Sequence, residues 1–130
     1  MIWRVRGQQK GAEELSLVVS DVFIDWLRIQ ARDAVVRNLD AYRDTTLDTA
    51  TLERWRDELA RIEHDRADEL AGELAEKRAL PRDASVRDGI LKEWVERALA
   101  ADEHHRVLRE IATAISLALE IGGTIHALGD

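Results

Sequence analysis

Apolar residues recur three and four positions apart along most of this 130-residue chain. Near its start, Leu15, Val18, Val19, Val22, Phe23, Trp26, Ile29 and Val36 keep that spacing, and Asp21, Asp25, Arg28 and Arg32 fall on the opposite side of the same helical wheel. An apolar stripe at this period marks a helix packed on one face. The spacing predicts a long first helix over 12–42. Asp44, Thr45, Thr46, Asp48 and Thr49 then form a cluster of N-capping residues, whose short polar side chains satisfy the free N–H groups at a helix start. A second helix is expected over 50–80, stopped by Pro81. Ser85 with Asp88 three residues on forms a capping pattern for a third helix over 86–100. Asp102 is placed to cap a fourth over 103–128, unless the third and fourth run on as one.

Strands need apolar and polar residues at period two with turn chemistry between them, and such runs are almost absent. Between Gly11 and Gly122 the only strong breakers are Gly72, Pro81 and Gly89. The expected fold is therefore all-α, a bundle of about four helices forming a single domain over 1–130. Residues 1–11 are too short for a helix. There Trp3 and Val5 alternate with Arg4 and Arg6 before Gly7, and the stretch reads as a short basic N-terminal arm.

Composition narrows the chemistry. Hydrophobic residues make up 45% of the chain, enough for one core, and charged residues 35%. The first residues lack the continuous apolar run of a signal peptide, so a cytoplasmic location is expected. The absence of cysteine excludes disulfides and thiolate chemistry. Residues 111–119 carry no charge, but Glu120 interrupts the apolar run before it reaches the roughly 20 residues that span a bilayer. No membrane partner is expected. Ala112, Ala114, Ala118, Gly122 and Gly123 are small enough to admit a close neighbour, and with Trp26, Trp55 and Trp94 on three different helices they suggest a homodimer.

The formal net charge of −7 is unevenly placed. Residues 57–76 hold eight acids against Arg61 and Arg66 alone. A surface of this kind repels phosphate backbones, which need clustered Lys and Arg, so direct nucleic-acid binding is not expected. A basic protein is the natural partner, with Asp57, Asp65, Asp68 and Glu76 as the candidate binding face. Acidic helices also serve as plain solvated surface.

Local rules are broken most clearly on the second helix. Leu52, Trp55, Leu59, Ile62, Leu70 and Leu74 define its apolar stripe, yet Glu63, Arg66, Glu73 and Lys77 fall in the same arc. Charges on a core-facing stripe point to a polar network or pocket, here Glu63, Arg66, Glu69 and Glu73 with Arg66 as its cation. Long side chains that snorkel to the edge of the core would give the same pattern. His64, His104, His105 and His126 are the remaining site chemistry. Neither His64 nor His104 has a Glu three positions before it, as a dinuclear carboxylate bundle would require, so neither a metal nor another cofactor is expected.

Arg97 followed by six residues and His104 resembles the Arg-x(4 to 6)-His motif of HEPN-type ribonucleases. That resemblance implies RNA cleavage carried by Arg97 and His104, and an enzyme of this kind is the alternative to a binding module. A structural or adaptor subunit of a larger assembly is a further one. The function most consistent with the acidic helix is stoichiometric inhibition of a basic partner protein, of the immunity or antitoxin type, with charges that speed association.

Overall fold

Trp3 and Val5 alternate with Arg4 and Arg6 because Ile2–Arg6 is a β-strand, β1, and the two apolar side chains are fully buried on one of its faces. In a computed structural model of the chain, residues 1–7 and 13–129 are described. Residues 8–12, with Gly11 of the expected arm and the first position of the expected first helix, lie outside the described residues, as does Asp130. The described residues form four strands and five helices. The all-α bundle read from the sequence is therefore wrong, as is the basic arm over its described part. The fold is a helical majority on an antiparallel sheet.

The expected first helix breaks into several elements. Glu13–Val18 is a strand, β2, paired antiparallel with β1, so Trp3 faces Leu17 and Val5 faces Leu15. Leu15, Val18 and Val19 fit a helical wheel, but β-branched residues also favour a pleated strand, and pairing with β1 decides between the two. Helix α1 is Asp21–Gln30, with Ser20 accepting from the Phe23 N–H at 3.2 Å. A short turn of helix, α2, covers Ala34–Arg37 behind the Asp33 cap. The Thr-rich cluster read as capping residues contains a third strand, β3, Thr45–Leu47, and only Asp48 acts as a helix cap.

Helix α3, Thr49–Lys77, runs for 29 residues, or about 43 Å at the usual rise. After Pro81, helix α4 spans Ala84–Ala101, capped by Asp83 rather than Ser85. Helix α5, Glu103–Glu120, is separated from α4 by the extended backbone of Asp102, so the two are not continuous. The helix expected to reach residue 128 stops at Glu120. Gly122 has φ 64°, a left-handed turn suited to glycine. Gly123 follows in close contact with β1: a Cβ there would run into the Arg6 carbonyl oxygen. The chain then enters β4, Thr124–Leu128.

The sheet order is β2-β1-β4-β3, all antiparallel. Ile125 and Ala127 of β4 alternate with exposed-side neighbours as Trp3 and Val5 do, and Leu47 of β3 joins the same inner face. Against it pack Leu52, Trp55, Leu59 and Ile62 of α3 and the stripe of α5, with Phe23, Ile24 and Leu27 of α1 completing the core. Trp3 and Trp55 meet across the sheet–helix boundary at a centroid distance of 5.7 Å. Arg4, Thr46 and His126 lie in register on the outer face. One face packed and one solvated is the normal state of such a sheet.

Beyond Ile62 the second half of α3 leaves this body. Leu70 is its last buried residue, and α4 returns along it with no buried residue at all. Ile90, Leu91, Trp94, Val95, Ala98 and Leu99 are all half-buried. From the end of α3 the Arg78 guanidinium reaches back to within 5.0 Å of the centre of the Trp94 ring in the middle of α4. The two helices form a hairpin joined to the body through α3 on one side and through Asp102 and α5 on the other.

Candidate functional site

The acidic residues singled out in the sequence lie along the solvent face of α3, opposite Trp55, Leu59 and Ile62. Asp57, Asp65, Asp68 and Glu76 are all exposed. They are brought onto one stripe by the helical period, and at 1.5 Å per residue the stripe is about 28 Å long. Its charge is partly balanced at the body end, where Arg61 donates to Asp65 at 2.7 Å and to Glu58 at 2.7 Å. His64 Nε2 lies 3.4 Å from Asp68. Arg61 also donates to the Gln30 carbonyl, and Glu58 accepts from the Arg32 N–H at 2.6 Å, which ties the start of the stripe to the end of α1. The Glu58 carboxyl is held below its ordinary range, chiefly by the Arg61 hydrogen bond.

Toward the hairpin the stripe borders a groove of about 630 Å³ between α3 and α4. Ala67, Ala71, Leu91 and Val95 form its apolar floor. Asp68, Asp88 and Glu96 stand around it with Lys92 and His64. The α4 residues of this groove were not read from the sequence as site residues. Their signal was an apolar arc on α4 wider than one neighbouring helix can cover, running from Val86 through Trp94 and Val95 to Leu99.

The charged residues expected to form one network on α3 divide between different partners. Arg66 makes a two-pronged contact with Asp102, Nε to Oδ2 at 3.1 Å and Nη2 to Oδ1 at 2.7 Å, and its Nη1 reaches Glu69 at 2.9 Å. Asp102 at the same time accepts from the His105 N–H at 3.0 Å as the N-cap of α5. Glu63 turns away from Arg66 to His105 Nε2 at 3.1 Å and Arg109 at 3.5 Å. Glu73 makes no hydrogen bond or ion pair within the described set; it acts on Arg66 only through its charge. The side chains of Arg66 and Asp102 are 16% and 12% exposed, which makes this the least solvated ion pair between the hairpin and the start of α5. The Asp102 carboxyl is depressed by the Arg66 hydrogen bond first, and the Arg66 guanidinium is raised by Asp102 in return. Sequence spacing marked Asp102 as a cap and missed it as the partner of Arg66, because the two are 36 positions apart.

Arg97 and His104 are engaged separately. Arg97 is exposed and bonds Glu93 at 2.5 Å one turn back on α4. The His104 ring stacks on Trp26 at 4.3 Å with the planes 6° apart, and Phe23 closes the cluster. Among the described residues no contact joins Arg97 to His104, so the structure does not assemble the pair that the ribonuclease motif implies. His126 lies on the outer sheet face beside Thr46 and Thr124. Among the described residues no cluster of three His, Asp or Glu side chains is arranged for a metal ion, and no helix is long and apolar enough to cross a membrane.

A second groove, of about 740 Å³, lies between β2, the end of α4 and α5. Leu15 and Leu17 of β2 and Leu99 and Ala100 of α4 supply its apolar surface. His105, Arg106, Arg109 and Glu110 stand along its α5 wall. In comparisons with known proteins, no family model, no curated protein and no solved structure matches this chain.

Proposed function

We propose that the chain is a protein-binding module that masks a basic partner in the manner of immunity proteins and antitoxins, with the α3–α4 hairpin as its binding element. The observation that carries this reading is the groove between the two helices: an apolar floor of Ala67, Ala71, Leu91 and Val95, a rim on which Asp68, Asp88 and Glu96 outnumber Lys92 and stand with His64, and the continuation of the acidic surface by Asp65 and Glu76 along α3. A basic amphipathic helix or loop matches both parts of it, with apolar side chains on the floor and Lys or Arg at the rim. Rim carboxylates of this kind act mainly on encounter, accelerating association through long-range attraction that salt screens. The half-buried apolar side chains of α4 supply the contact area that holds the complex afterwards.

The test begins with capture of the partner from the native host and continues with association kinetics. Reversing Asp65 and Asp68 to lysine leaves the fold intact, since Arg61 keeps Glu58 as its partner and both acids are exposed. The double variant is expected to associate about ten times more slowly at low salt and to show a flatter salt dependence of the on-rate. Leu91→Asp is expected to raise the off-rate. Unchanged kinetics in both variants would show that the hairpin is not the binding element.

A further inference from the structure

Strand β2 has one neighbour. Among the described residues it lies at the edge of the sheet and pairs only with β1. The hydrogen bonds that fix its phase run in both directions between Met1 and Val19, N–H to C=O at 3.1 Å and 2.8 Å. In an antiparallel ladder such bonded pairs alternate with non-bonded ones. Leu17 and Leu15 therefore direct their main-chain groups toward β1, whereas Val18 and Ser16 direct theirs away from the sheet. Both residues are exposed, and among the described residues no group bonds to them. The free edge thus offers two donors and two acceptors at the spacing of an incoming strand.

The second groove lies directly beside this edge. Leu15 and Leu17 point from β2 to the helix side of the sheet, but α5 lies over β1 and β4 and leaves them only half covered. A strand added to β2 would place alternate side chains in that groove. On its α5 wall, Arg106 is engaged by Glu103 and by Glu110. Arg109 is 60% exposed, and its one described ion pair is a 3.5 Å contact to Glu63. It is the cation most available to a newcomer.

We propose that β2 and this groove form a docking site for an extended, acidic segment of a partner protein, which joins the sheet as a fifth strand. Main-chain bonds to Ser16 and Val18 supply the binding, apolar side chains at alternate positions rest on Leu15, Leu17 and Leu99, and a carboxylate reaches Arg109. This is the strand-addition mode of peptide recognition, in which the backbone gives affinity and side-chain pockets give specificity. Charge selects against a second copy of this chain. Edge-to-edge pairing about a two-fold axis normal to the sheet would bring another Arg109 to the same groove and no unengaged carboxylate, because Glu110 is held by Arg106. The site is independent of the hairpin reading and asks for the opposite charge.

The experiment is to pan displayed random heptapeptides on the full chain and measure the enriched peptides by fluorescence anisotropy. The expected consensus has apolar residues at alternate positions and one Asp or Glu in the same phase. Lysine in place of that acid, or Arg109→Glu in the protein, is expected to weaken binding at least tenfold. Ser16→Pro removes an edge donor at a position where proline is tolerated and should abolish binding with an unchanged circular-dichroism spectrum. N-methylation of the peptide backbone gives the same test without altering the protein. No enrichment over an unrelated control domain, a basic consensus, or binders indifferent to both Arg109→Glu and N-methylation would overturn the proposal. So would self-association of the chain that Ser16→Pro abolishes.

Discussion

Helices α4 and α5 are both 18 residues long, yet α5 buries six residues and α4 buries none. The difference is one of patterning. Val107, Leu108, Ile111, Ala114, Ile115 and Ala118 fall within one third of the α5 wheel, so a single face turned to the sheet and α3 takes them all out of water. On α4, Val86, Ile90, Trp94, Leu91, Val95 and Leu99 spread over more than half the circumference, and one neighbouring helix covers only part of that arc. The body is held by a core, and the hairpin by a seam. Apolar surface left over by the seam is what the proposed partner would cover.

Deleting core atoms tests this contrast with the largest effect. Ile111→Ala, at a fully buried position, is expected to cost about 3–4 kcal/mol in urea denaturation, as transfer and cavity terms add. Leu91→Ala in the half-covered seam should cost about 1 kcal/mol. Equal losses would mean that the hairpin is as well packed as the body.

Arg66 joins the two regions. Arg66→Ala strands the Asp102 carboxylate, only 12% exposed, and is expected to cost about 2 kcal/mol at neutral pH. The dependence on pH has a definite sign. The Asp102 pKa is lowered in the folded state, so the stabilisation is present above the ordinary carboxylate range and is lost as pH falls through the folded value. The gap between wild type and Arg66→Ala should therefore shrink below about pH 4. A gap that stays constant to pH 2 would assign the loss to packing of the Arg66 stem.

Both hairpin helices contain a glycine within their helical span, Gly72 and Gly89, and a Cβ at either meets nothing within 4 Å. Alanine at each removes backbone freedom from the unfolded chain and is expected to add about 0.5–1 kcal/mol of helix stability. Amide exchange locates the gain: slower exchange confined to α3 beyond Ile62 and to α4 shows a hairpin that opens by itself, whereas slowing throughout shows one cooperative unit. Least affected should be Ile29→Thr. Ile29 is 80% exposed on α1, and its replacement is expected to change stability by no more than about half a kcal/mol.

Legibility in the sequence followed element length. Helices α3, α4 and α5 were readable because each offers several turns of periodic pattern and an Asp cap. The sheet was not. Strand β3 has three residues, and β1 and β4 five each, so period two repeats only once or twice in any window. Thr124–Leu128 also follows the α5 stripe closely enough to pass as one more turn, and only Gly122 and Gly123 announce the break. The acidic stripe of α3 was visible as a charge run. Its groove was not, because Leu91 and Val95 come from another helix, and the Arg66–Asp102 pair depends on how α3 meets α5.

Strand β4 sits between β1 and β3, although both precede it in the chain. The sheet therefore cannot assemble in the order of synthesis. When β1 and β2 leave the ribosome they form a two-stranded ribbon, which is marginal in water, with Trp3 and Val5 on an uncovered face. β1 waits for nearly the whole chain before its central partner arrives, and closing so long a loop is entropically costly. The helices are built from local contacts, whereas the sheet pairs Ile2 with Leu128 at the two ends of the fold, so closure of the sheet is expected to come late and folding to be slower than for a helical bundle of this size. Until then the apolar face of the β1–β2 ribbon is open to other chains, and the nascent protein is most prone to aggregate in that interval.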